Sequence, residues 1–164
     1  MTILTVKNEQ EMIAFGKALG ACVPSETIIG LSGELGAGKT TMTKGISIGL
    51  GIMEPVSSPT YSILNEYEGT SRRLYHIDLY RINTTKEIDE LELESLLSPR
   101  TNMLIEWIEK LDAKWLKNLI HISISHNTDD DSFEARDLSI DASSDELRGI
   151  VEEAINKFKM NYKH

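Results

Sequence analysis

Apolar residues recur along the chain in two rhythms, one helical and one of strand period, and their order outlines the elements. In segment 8–23, "NEQEMIAFGKALGACV", Met12, Ile13, Phe15, Ala18, Leu19 and Cys22 fall at near-helical spacing. Asn8 is a good cap before them and Pro24 closes the run, which predicts an amphipathic opening helix. Residues 27–32, "TIIGLS", form a short apolar run of the kind expected of a strand buried on both faces. It passes through a glycine loop into "KTTMTKGISIGLG", a predicted helix that Gly49 and Gly51 stop.

After Pro55 and Pro59, "TYSILNEYE" and "RRLYHIDLY" predict two strands separated by "GTS". Segment 84–97, "TTKEIDELELESLL", places Ile88, Leu91, Leu93, Leu96 and Leu97 between acids and predicts a helix ending before Pro99. "NMLIEWI" predicts a further strand, "AKWLKN" a short helix, and segment 120–142 a late hairpin around the acidic turn "NTDDDSFEARD". The last helix, 143–160, starts at a Ser144 or Asp145 cap and ends in lysines that suit its dipole. Strand, glycine loop and helix, followed by further strands and helices, predict an α/β fold: a P-loop NTPase-like central mixed β-sheet flanked by helices, as a single domain over 1–164.

Composition narrows the partners. With 164 residues, 40% of them hydrophobic, the chain can build one core. Seventeen basic against 26 acidic residues leave a formal net charge of −9, which opposes a direct grip on a nucleic-acid backbone. A single cysteine, Cys22, excludes an internal disulfide and a cysteine-rich metal site. The N-terminus lacks the pattern of a secretory signal, and no apolar run reaches the ~18 residues of a membrane span. A cytoplasmic location without membrane contact is expected.

The chemistry is concentrated in "GELGAGKTT". Gly33, Gly36, Gly38, Lys39 and Thr40 match G-x-x-x-x-G-K-[ST] after a predicted strand and before a predicted helix. Such a loop turns several N–H groups inward at a helix N-terminus, where phosphates bind. Glu34, Leu35, Gly36, Ala37, Gly38, Lys39, Thr40 and Thr41 are therefore the expected nucleotide-binding residues. Lys39 would neutralise the terminal phosphates, and the Thr40 hydroxyl would ligate Mg²⁺. Metal and water also need acids at neighbouring strand ends, and Asp78 in "YHIDLYR" and Glu106 in "MLIEW" have that placement. Thr60 in "SSPTY" is either a γ-phosphate-sensing threonine or a turn hydroxyl, and Trp107 either covers the nucleotide or belongs to the core. His76, His121 and His126 lack ligand spacing and read as structural.

Taken in order, "GELGAGKTT", "SPTY", "YHIDLYR" and "LIEW" resemble the TsaE family of small bacterial P-loop ATPases, over about residues 8 to 125. The resemblance implies an ATP- and Mg²⁺-dependent ATPase that serves threonylcarbamoyladenosine (t6A) modification of tRNA. It also implies that a TsaB–TsaD pair is the partner and that tRNA is met only through it. Position by position, it makes Lys39 and Thr40 the phosphate and Mg²⁺ residues, Thr60 a switch threonine, Asp78 a metal-site acid, Glu106 a Walker-B-like acid, and Trp107 a residue that affects nucleotide handling. The C-terminal third carries none of the family's motifs.

Two other functions stay open on the residues alone. A small metabolite kinase would need an arginine-bearing lid, yet segment 84–97 is acidic and only Arg100, Arg136 and Arg148 follow Arg81. A nucleotide-switched binding module would use the loop around Thr60 to change docking surfaces. A GTPase is disfavoured because no N-K-x-D or T-K-x-D run is present. No arginine finger is evident, so slow hydrolysis alone and stimulation by a partner are expected.

Overall fold

A computed structural model describes residues 1–59, 61–112 and 117–162. Seven strands form one sheet: β1 (Thr2–Val6), β2 (Ile28–Ser32), β3 (Leu64–Glu68), β4 (Arg73–Asp78), β5 (Thr101–Glu106), β6 (Leu119–His126) and β7 (Arg136–Ala142). Their spatial order is β1-β7-β6-β2-β5-β4-β3. The inner four, β6-β2-β5-β4, are parallel, and β1, β7 and β3 add antiparallel edges. The sheet is thus mixed, and β2 sits between two parallel neighbours, which is why "TIIGLS" is apolar throughout.

Helices α1 (Glu9–Cys22), α2 (Lys39–Gly49) and α4 (Asp145–Asn161) contribute to the main core with one sheet face. The opposite face carries a smaller core with the short helix α3 (Thr85–Glu90), Leu93 and Ile108. Helices α1 and α2 approach backbone to backbone. A Cβ on Gly20 would lie 2.2 Å from the Ile46 carbonyl oxygen, and one on Gly49 would lie 2.2 Å from that of Lys17. Glycine at these places lets the helices touch, which brings the start of α1 against the loop before α2. Phe15 of α1 and Phe158 of α4 meet edge to face at 5.9 Å and close the other side of α1.

Several sequence expectations change in detail. The helix expected over 84–97 stops at Glu90 and gives way to a 3-10 turn at Leu93–Leu96, with Glu92 in the left-handed region at φ 49°. Five residues separate Ile88 from Leu93, about 140° around an α-helix, so an unbroken helix would turn the two side chains well apart. The turn at Glu92 allows both to be buried. Strand β3 begins only at Leu64, because Ile63 takes φ 66° in a turn whose N–H donates to the Pro59 carbonyl. Strand β1 was not anticipated: its five residues form an edge strand with only Leu4 and Val6 turned inward. The predicted helix "AKWLKN" falls mostly on residues 113–116, outside the described residues. No helix among the described residues is long and apolar enough to cross a membrane.

Candidate nucleotide site

Strand β2 ends at Ser32, and the chain turns through Gly33, Gly36 and Gly38 at φ 150°, 79° and 116° before α2 begins at Lys39. Gly36 and Gly38 lie well inside the region that residues with a Cβ avoid. Helices α1, α3 and α4 are each capped by a side chain, Asn8, Thr84 and Ser144, which accepts a backbone N–H of the first turn. Helix α2 is capped by Gly38 and has no side-chain cap bond. Its first amides are left to an outside acceptor, and the helix dipole favours an anion there.

Lys39 is 7% exposed and bends back over the loop. Its ammonium donates to the carbonyls of Gly33 and Glu34, the latter at 2.9 Å, and stands 4.5 Å from the centre of the Trp107 ring. The buried charge is thus held by dipoles and a ring face, with no carboxylate among the described residues bonded to it. Trp107 follows β5 in a left-handed conformation, φ 62°, and its ring packs against Tyr80 at 5.1 Å. Lys110 braces this corner by donating to the carbonyls of Tyr80 and Ile82 at 2.7 and 2.8 Å.

Parallel pairing of β4 with β5 places Asp78 opposite Glu106 at the strand ends beside the loop. Both are buried, at 8% and 3% exposure. Asp78 accepts from the Tyr80 N–H at 2.9 Å and the Ser58 hydroxyl at 3.3 Å. Glu106 bonds His76 at 2.7 Å. The two acids, Ser58, Trp107, Lys39 and Thr40 line one cleft of about 440 Å³. No arginine lies among the described residues that line it.

A second cleft of about 600 Å³ opens across the loop, lined by Asn8, Met12, Gly36, Gly38, Thr41, Phe133 and Arg136 among others. Arg136 of β7 donates to the Ala37 carbonyl at 3.1 Å and to the carbonyls of Phe133 and Ala135, tying the phosphate loop to the β6–β7 turn. The two clefts share Gly36, Gly38 and Thr41, so the loop is the ridge between them.

Of the residues anticipated from sequence, Leu35, Gly36, Gly38, Lys39, Thr40, Thr41, Asp78, Glu106 and Trp107 line this one cleft. Glu34 contributes its carbonyl to Lys39, and Ala37 its carbonyl to Arg136. Thr60 lies outside the described residues. His76, read as structural, bonds Glu106, and its position two residues before Asp78 on a strand was the available signal for that contact. His121 bonds Ser32 and His126 is exposed. Asn8, Met12, Phe133 and Arg136 carried no motif and were gathered by the fold.

A sequence model of the family described as "Threonylcarbamoyl adenosine biosynthesis protein TsaE" matches residues 6–137. The chain belongs to the TsaE family. Among TsaE relatives, the Bacillus subtilis protein named "tRNA threonylcarbamoyladenosine biosynthesis protein TsaE" is 36% identical over 76% of this chain and 77% of its own. The Streptomyces coelicolor protein of the same name is 32% identical over 79% and 88%. The crystal structure of YdiB from Bacillus subtilis superposes with a TM-score of 0.74 at 27% identity, over 95% of each chain, and supports the same P-loop-type fold for this TsaE-family member.

The site also suits a metal that depends on the nucleotide. Among the described residues no group of three or more His, Cys, Asp and Glu side chains could hold a metal. Mg²⁺ characteristically takes one or two protein oxygens and completes its shell with phosphates and water, and Thr40, Asp78 and Glu106 around one cleft offer that kind of donor set.

Proposed function

We propose that the chain binds ATP and hydrolyses it to ADP and inorganic phosphate as a component of tRNA threonylcarbamoyladenosine formation, slowly alone and faster with a TsaB–TsaD pair. The observation that carries this reading is the uncapped start of α2, with Lys39 inside it, facing Asp78 and Glu106 across one cleft. The names of the relatives support the tRNA pathway.

In this reading the phosphates take the α2 amides, and Lys39 exchanges its loop carbonyls for phosphate oxygens, which are stronger, charged acceptors. The larger cleft beside Met12 and Phe133 takes the nucleoside. Thr40 and one of the two acids would hold Mg²⁺, which would supply positive charge to the phosphates. The other acid orients the water that attacks the γ-phosphorus in line, while Lys39 and the loop amides stabilise the departing negative charge. The cleft's lack of arginine among its described residues supports a dependence on the partner, since an arginine finger can raise the rate ~10³-fold or more. Thr60 is proposed as the switch threonine, and Trp107 as a cover of the phosphate site.

ATP and GTP turnover with Mg²⁺, alone and with the pair added, tests the reading, with Lys39→Ala as the blank. ATP-selective turnover that rises with the pair and falls at least ~10²-fold in Lys39→Ala is expected. Equal use of GTP, or transfer of the phosphoryl group to a metabolite, would overturn it.

A further inference from the structure

His76 is an unusual residue to find wholly buried. It sits inside β4 at 0% exposure, bonded on one side to Glu106 and with Nδ1 lacking any partner among the described residues. A buried ring nitrogen without a partner costs free energy, whereas an apolar side chain would pack there without that cost. A carboxylate only accepts, so opposite a Glu106 carboxylate the bond is one that the Nε2 hydrogen donates. The ring keeps one good bond at the expense of the other nitrogen, and that bond goes to an acid of the nucleotide cleft.

Strand geometry explains how. His76 and Asp78 lie two residues apart on one face of β4, and Leu104 and Glu106 do the same on β5 in register with them. Glu106 therefore stands diagonally across from His76 and directly beside Asp78. Its Oε2 is engaged by His76 at 2.7 Å, so Oε1 is the oxygen left for the cleft.

We propose that His76 is a positioning residue for Glu106: by holding Oε2 it fixes the carboxylate plane and presents Oε1 to the metal and water of the nucleotide site. The inference rests on the hydrolytic reading above. Partners one step behind a ligating or catalytic carboxylate set its orientation, and their loss typically costs about 10–100-fold.

The test uses the full chain and three substitutions. His76→Leu fills similar space and removes the donor. His76→Gln keeps an N–H near the place of Nε2, whereas the amide of His76→Asn overlays Nδ1. Hydrolysis gives kcat and KM, calorimetry gives ADP affinity without Mg²⁺ and across a Mg²⁺ titration, and thermal melting checks folding. His76→Leu is expected to lose about tenfold or more in kcat, to keep its Mg²⁺-free ADP affinity, and to need more Mg²⁺ for half of the gain in ADP affinity. His76→Gln should return toward wild type in both measures, and adding His76→Leu to Glu106→Gln should cost little more. His76→Asn should behave as His76→Leu does and replaces it if the leucine variant does not fold.

Unchanged kcat and Mg²⁺ midpoint in both variants that lack a donor at the Nε2 position would overturn the proposal, as would equal losses in all three. If the wild-type chain bound nucleotide but turned over no ATP, the hydrolytic reading would fall and the Mg²⁺ midpoint alone would decide. A midpoint that the variants without a donor at the Nε2 position leave unmoved would then overturn the positioning role too.

Discussion

Arg136 shows how a single side chain can govern the site without carrying a motif. Its guanidinium holds the Ala37 carbonyl of the phosphate loop and two carbonyls of the β6–β7 turn. Hydrogen bonds to a charged group are worth about 1.5–3 kcal/mol, and tenfold in affinity corresponds to about 1.4. Arg136→Ala is expected to weaken ATP binding roughly tenfold, chiefly by loosening the loop, and calorimetry with ADP would check it. Unchanged affinity would mean that the loop holds its shape unaided. Lys39 and Thr40 were legible in the sequence because fixed spacing in a strand–helix context carries the chemistry. Arg136, Phe133 and Met12 were not, since their roles depend on which strand edge and helix end the fold brings together.

At the scale of elements, the α1–α2 contact orients the site. Replacing Gly20 by Ala gains roughly 1 kcal/mol of helix propensity but pushes a methyl group to 2.2 Å from the Ile46 carbonyl oxygen. Overpacking of this kind typically costs about 1–3 kcal/mol, and backbone contacts are the least able to give way. Gly20→Ala is therefore expected to lower the melting temperature, and a rise would contradict the close packing. The β6–β7 turn has its own clasp. Asp130 accepts from the Ser132 hydroxyl and from the Ser132 and Ala135 N–H groups, which hold its carboxyl below the usual aspartate range. A lowered value in the fold means that the contribution is present above the ordinary aspartate range and is lost as pH falls through the lowered one. Measured against its intrinsic rate, amide exchange at Ala135 should lose protection as pH falls through the lowered range, and should show no such titration in Asp130→Asn. Helix ends at Asn8 and Ser144 were legible because capping is local. The break at Glu92 and the edge strand Thr2–Val6 were not, because each is decided by what the sheet needs to bury.

At the scale of the whole molecule, the parallel strands β2, β5 and β4 deliver the phosphate loop, Glu106 and Asp78 to the carboxyl ends of neighbouring strands, which is where α/β sheets place their ligands. That convergence was readable from the alternation of apolar strands and glycine loop. The sheet order and the second cleft were not, because β6 and β7 reach the loop only through long-range pairing. The central claim is that this arrangement drives a step of tRNA modification with ATP. Its most direct test is the threonylcarbamoyladenosine content of tRNA from bacteria that lack their own TsaE and carry this chain or its Lys39→Ala variant. The account predicts that the wild-type chain restores the modification and Lys39→Ala does not. Restoration by Lys39→Ala, or failure of a folded wild-type chain that engages the host's TsaB–TsaD pair, would contradict it.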